Sequence, residues 1–169
     1  MSSRKTWLAH GASGGPETMR PYVGRLKKLG IDAYALRLPR GDARRAMGPL
    51  REQVGPELPD AIIGGHSFGG RVASLVAAET PPAGLVLLSY PLHRPGHPDE
   101  PRDEHFERIA CPVLVLSGDR DQFARIEQLQ AAVGRLPSGR LDVYPGVRHG
   151  LKDAAADVAD RIAVFVREL

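Results

Sequence analysis

"DAIIGGHSFGGRVASLVAAE", Asp60 to Glu79, sets one serine among four glycines, with a short apolar run before it and a longer one after it. The segment up to His66 reads as a strand, and "RVASLVAAE" reads as a helix. A strand and a helix that meet at so sharp a turn leave no room for Cβ atoms beside it, which accounts for Gly65 and Gly69 two positions either side of Ser67. The Ser67 hydroxyl is then carried past the carboxyl end of the sheet to the amino end of a helix, where the helix dipole favours negative charge. A glycine-rich strand-to-helix turn can also cradle phosphate. This one lacks the G-x-x-x-x-G-K-[ST] spacing, and no dinucleotide fingerprint follows the first strand.

The same rhythm extends outward in both directions. Strands are expected at Lys5–Gly11, Asp32–Leu38, Asp60–His66, Gly84–Tyr90, Pro112–Gly118 and Leu141–Gly146. Several are apolar at consecutive positions, the pattern of a parallel sheet covered on both faces. Met19, Tyr22, Leu26 and Leu29 form one helical stripe, with Pro16 suited to a first turn and Gly30 placed to stop it. Val158, Ile162 and Val166 form another, beside Ala155, Ala159 and Phe165. The fold class is therefore α/β, a single domain over 1–169 with about six parallel strands, helices on both faces and no large lid domain.

Two stretches break the pattern. Gly41, Gly48, Pro49, Gly55, Pro56 and Pro59 predict only a short, irregular helix near Leu50 to Val54. Pro91 to Arg108, "PLHRPGHPDEPRDEHFER", is long for a connection and rich in proline and charge, so a functional or mobile excursion is expected there.

Composition narrows the function. The 169 residues are 42% hydrophobic and carry a formal net charge of +3 without any run of like charges, which argues against a nucleic-acid surface. The apolar stretch in "MSSRKTWLAHG" is too short to be expected as a signal peptide, no apolar run reaches membrane length, and a lone Cys111 cannot form an internal bridge. A cytoplasmic protein is expected, with Cys111 a buried small residue.

A serine hydroxyl needs a base, and the base needs an orienting acid. "LVLSGDRDQF" places Asp119 and Asp121 just past one strand, and "YPGVRHGLKD" places His149 in the loop after the last strand. The candidate catalytic residues are therefore Ser67, His149 and one of the two acids: Asp121 is preferred because it lies further into the loop, and Asp119, the alternative, is expected to cap the turn, because short Asp side chains satisfy nearby backbone donors. Two amide N–H groups should face the developing oxyanion, that of Phe68 and that of Ala12 in "HGASGG". His10 and His66 flank these loops as structural or pocket-lining residues. His93 and His97 are separated by Pro95 and Gly96, which argues against a helical metal pair, and no metal or organic cofactor is implied. Arg71, Arg94 and His93 are weaker candidates for contact with an acidic substrate.

These motifs, with "GGHSFGGRVAS", "LLSYPLHRPGHPDEPRDEHF", "SGDRDQF" and "RHGLKD", give nearly the whole chain a resemblance to the compact dienelactone-hydrolase-like branch of the α/β-hydrolase superfamily, related to testis-expressed and chromatin-complex subunits of animals. The order Ser, Asp, His along the chain is that of the superfamily. The resemblance implies a Ser67–Asp121–His149 triad and hydrolysis of esters, and sets the first strand here at the third strand of the full fold. His66 and Phe68 stand where relatives often have Lys and Met. The expected function is a serine hydrolase acting on a small carboxylic ester or thioester through an open, shallow pocket, without nucleic-acid or membrane partners. The rival expectation is a binding or scaffold protein that keeps the fold without using the triad.

Overall fold

The computed structural model describes residues 4–169. Its centre is one sheet of six parallel strands in the order β2-β1-β3-β4-β5-β6: β1 Thr6–Ala9, β2 Ala33–Leu36, β3 Ile62–His66, β4 Gly84–Leu88, β5 Val113–Gly118 and β6 Gly139–Tyr144. Five strands lie inside the expected segments. The last begins two residues before the expected Leu141, because Gly139 and Arg140 pair with Val113 and Leu114 even though both are exposed and carry no apolar signal.

Consecutive apolar residues in the central strands serve opposite faces. Ile63, Leu85, Leu87, Val113 and Val115 enter one core, with Leu50, Val72, Val76 and Leu129. Ile62, Val86, Leu88, Leu114 and Leu116 enter the other, with Met19, Tyr22, Leu26, Val158 and Ile162. This two-faced burial is why the strands read as unbroken hydrophobic runs. Helices α1 (Arg20–Lys28) and α5 (Ala155–Glu168) cover the second core, and α2 (Ala43–Val54), α3 (Phe68–Glu79) and α4 (Ile126–Gly134) cover the first. A 3₁₀ turn at Pro16–Met19 leads into α1, and Gly30, with φ of 81°, ends it.

The region after β2 corrects the sequence reading. Instead of a short irregular piece, α2 runs for 12 residues with Pro49 inside it. Asp42 caps its start, accepting from the Arg44 and Arg45 amides at 2.7 and 3.3 Å. Ala46, Met47, Leu50 and Val54 make a buried stripe against α3. The Gln53 side chain donates to the Pro49 and Arg37 carbonyls at 3.0 and 2.8 Å. An internal proline costs about 3 kcal/mol. Four buried side chains at roughly 1.5–3 kcal/mol for a large one offset that cost, an effect of tertiary packing that local propensity does not report.

The excursion at 91–108 is tied down along its length. Tyr90 donates its hydroxyl to the Arg102 carbonyl at 2.6 Å, and the Arg102 amide donates to the Leu92 carbonyl at 2.6 Å. The Asp103 carboxylate meets Arg135 at 2.5 Å, and the Phe106 ring is fully buried against Tyr90. Among the described residues no helix is long and apolar enough to cross a membrane.

Candidate active site

The order of the strands reverses between β1 and β3, where the chain has wound outward in both directions. Open α/β sheets bind ligands in the crevice at the carboxyl ends of such a pair. Ser67 stands there, between β3 and α3, at φ of 51°. A non-glycine residue so placed stores about 1–3 kcal/mol of backbone strain. The Ser67 amide donates to the Leu88 carbonyl at 2.8 Å, which carries the β3–β4 pairing one residue past the strand and over-determines the turn. Around it, glycine is a steric requirement. A Cβ on Gly65 would fall on the Ala9 carbonyl, and one on Gly69 would sit 2.6 Å from the His10 carbonyl oxygen.

The other two groups arrive from β5 and β6. The loops after these strands are tied together: the Arg120 amide donates to the Val147 carbonyl at 2.9 Å and the Gly146 amide to Asp119 Oδ1 at 2.7 Å. Asp119 thus holds the turn, while Asp121 turns inward, its carboxylate fully buried. Asp121 Oδ1 accepts from the Phe123 amide at 2.8 Å, and both its oxygens lie 2.8–2.9 Å from His149 Nδ1. His149 Nε2 is 2.8 Å from Ser67 Oγ. With Nδ1–H directed at the carboxylate, Nε2 is left to accept the serine proton. The three side chains form a continuous line from a buried anion through an imidazole to a hydroxyl at the cavity surface.

Neighbouring rings hold the imidazole in place. The Phe123 ring lies tilted against it with centroids 4.3 Å apart, and the His66 ring lies 5.2 Å away. His66 Nε2–H donates to the His149 carbonyl at 3.0 Å. Burial pushes the His66 pKa below the usual histidine value, which favours the uncharged ring as the donor in this bond. His10 is a brace: its Nε2 accepts from the Leu38 amide at 3.0 Å and its Nδ1–H donates to the Gly11 carbonyl at 2.8 Å, fixing the loop after β1 to the end of β2.

A cavity of about 380 Å³ opens over Ser67, lined also by Gly11, Ala12, Phe68, Arg71, Arg102, Phe123 and His149. The Phe68 amide heads α3, where no helical carbonyl precedes it, and the Ala12 amide has no acceptor among the described residues. A second, apolar cleft of about 280 Å³ lies on the other side of His66, between Met19, Pro21, Tyr22 and Leu151.

Of the weaker candidates, only Arg71 lines the cavity over Ser67. His93 is 2% exposed; its Nε2 accepts from the Arg125 amide at 3.1 Å and its Nδ1–H donates to the Arg94 carbonyl, so the ring is spent on loop structure. Arg94 is exposed and pairs with Glu100 at 2.7 Å. These two are corrected from substrate contacts to loop residues. Sequence reasoning missed Arg102 and Phe123. Phe123 had a faint signal, an aromatic two residues past Asp121, whereas Arg102 had none, since long-range bonds alone bring it to the cavity. Cys111 is buried, which pushes its thiol pKa up to about 11 and leaves it a packing residue. Among the described residues no three His, Cys, Asp or Glu side chains gather as metal ligands.

A doubly wound parallel sheet with a serine on a strained strand-to-helix turn, backed by histidine and aspartate from later strand ends, defines the α/β-hydrolase class of folds. The chain belongs to that family: residues 44–163 match the model of the alpha/beta hydrolase domain. Its fold is similar to that of a "predicted CIB-like hydrolase" from Thermoplasma acidophilum, at 18% identity and a TM-score of 0.81, over 98% of this chain and 87% of that one. It is also similar to a monoacylglycerol lipase from Paleococcus ferrophilus, at 16% identity and a TM-score of 0.82, over 96% and 93%. Est1E from Butyrivibrio proteoclasticus, solved with ferulic acid bound, matches at 15% identity and a TM-score of 0.77, over 98% and 90%.

Proposed function

We propose that the protein is a serine hydrolase that cleaves small carboxylic esters or thioesters through an acyl-enzyme. The observation that carries this reading is the unbroken contact from Asp121 through His149 to Ser67, at 2.8–2.9 Å throughout. In this reading Ser67 Oγ attacks the substrate carbonyl carbon as His149 Nε2 takes its proton. The oxyanion is received by the Phe68 and Ala12 amides. Collapse of the tetrahedral intermediate breaks the bond to the alcohol or thiol, which leaves with the proton returned by His149. Water, deprotonated by the same nitrogen, then releases the acid and restores Ser67. Asp121 keeps the imidazole in the tautomer with Nδ1 protonated and stabilises the imidazolium formed at each step. No step calls on a metal or organic cofactor.

The pocket, about 380 Å³ and open to solvent, suits a short acyl group. The test is a panel of p-nitrophenyl and thioester substrates turned over by the wild type and by Ser67→Ala. The variant should lose on the order of 10⁴-fold or more in kcat while keeping its thermal midpoint. Equal rates in the two proteins would contradict the assignment.

A further inference from the structure

Two cations at the cavity have no role in the chemistry just described. Arg71 stands one turn of α3 beyond Ser67, its amide donating to the Ser67 carbonyl at 3.0 Å. Arg102 reaches the same cavity from the 91–108 segment. Together with Phe68 they also line an adjoining cavity of about 260 Å³, so both residues border the two spaces.

Among the described residues neither arginine has a carboxylate within 4.0 Å: Glu100 pairs with Arg94 and Asp103 with Arg135, and Glu104, two residues along the chain from Arg102, makes no ion pair with either arginine. Asp42, the one acid lining the adjoining cavity, is spent on the cap of α2. Nη1 of Arg71 is buried without an acceptor. Burial, and then the charges of Arg71 and Arg94, hold the Arg102 pKa below its ordinary value, against smaller opposing effects of Tyr90 and Glu100. Structural arginines removed from water are ordinarily paired, since an unpaired buried charge is costly. The backbone of Arg102 is fixed by the Tyr90 hydroxyl and the Leu92 carbonyl, which hold this residue at the cavity wall.

We infer that Arg71 and Arg102 form an anion-binding pair, and that the ester cleaved at Ser67 carries a carboxylate on its acyl group. The inference rests on the hydrolase reading above and names the substrate class for the same site. Two guanidinium forks present several N–H donors to a carboxylate, an arrangement that holds it in register as well as by charge. The carboxylate then fixes the position of the carbonyl over Ser67, which an apolar chain in so open a cavity does poorly.

The test compares monoethyl glutarate with ethyl valerate, which differ at the chain end by a carboxylate in place of a methyl group, followed by alkali uptake. The wild type should prefer the charged ester in kcat/KM by about tenfold or more at low ionic strength, in line with one charge-assisted contact. The preference should fall toward unity in Arg102→Gln and in Arg71→Gln, chiefly through a higher KM for the charged ester, and should weaken in the wild type as salt is raised. A wild-type preference for ethyl valerate, or a preference for the charged ester that survives both substitutions, would overturn the pair. Should Arg71→Gln fail to fold, Arg102→Gln alone decides.

Binding of free glutarate, measured by calorimetry, separates the two claims. Glutarate that binds the wild type and not Arg102→Gln, in a protein that turns over neither ester, upholds the anion pair and sinks the hydrolase reading. Turnover of ethyl valerate without glutarate binding does the reverse.

Discussion

Two neighbouring strands end in opposite ways. Past β3 the chain makes a turn of the tightest kind, whose geometry is set by what is absent: Cβ atoms at Gly65 and Gly69. Past β4 it makes a long excursion, whose geometry is set by what is present: the Tyr90 hydroxyl, the Asp103–Arg135 pair, the buried Phe106 ring and the Ser74–His105 contact at 2.8 Å. The first device is local and shows in the sequence as a motif. The second is distributed, and its partners are up to 32 residues apart. Both deliver a polar group to the same cavity, Ser67 from one and Arg102 from the other.

The sharpest way to break the first device is Gly69→Ala. The added methyl would lie 2.5–2.6 Å from the Ala9 and His10 carbonyl oxygens, backbone atoms that cannot swing aside. A loss of about 3 kcal/mol, at the upper end for overpacking, is expected in a urea titration, together with loss of activity as the elbow shifts. Stability within ~0.5 kcal/mol of the wild type would show that the turn has slack it is not supposed to have.

The second device should be weakened by acid. His105 is 1% exposed, donates through Nε2 to Ser74 Oγ, and has Nδ1 buried without a partner. Burial first, and then the charges of Arg71, Arg108 and Arg44 against that of Glu104, lower its pKa to about 4. The folded value lies below the unfolded one of about 6.5, so the unfolded chain takes up the proton first as pH falls. The stability contributed by neutral His105 is complete above pH 6.5 and is lost as pH drops toward 4. Between pH 7.5 and 5 the loss is about 2 kcal/mol. His105→Gln, which keeps a donor for Ser74 and cannot titrate, should flatten the urea midpoint against pH by that amount. An identical acid slope in the two proteins would move the sensitivity elsewhere, with His66, shifted in the same direction by burial, the next group to replace.

The same contrast explains how far the sequence could be read. The six strands, the helices over Met19–Leu29 and Ala155–Val166, and the placement of Ser67, Asp121 and His149 at strand ends all rest on short-range patterns: apolar runs, glycine spacing and position after a strand. The full length of α2 was hidden, because Pro49 is a local argument against a helix and the buried faces of Met47 and Leu50 against α3 are a non-local one in its favour. The roles of His93 and Arg94 were hidden for a like reason. Nothing near His93 indicates that its ring accepts from the Arg125 amide, 32 residues later. Arg102 is the reverse case, a charged residue in a charged stretch that only the folded chain singles out.

The claim on which the rest depends is that Ser67 is an activated nucleophile, and reaction with a fluorophosphonate probe followed by peptide mass spectrometry tests it most directly. The account predicts one modified peptide, carrying the label on Ser67, and labelling slowed by at least ~100-fold in His149→Ala, in which the general base is lost. Absence of label on Ser67 under conditions that modify an ordinary serine hydrolase, or equal rates with and without the imidazole, would contradict it.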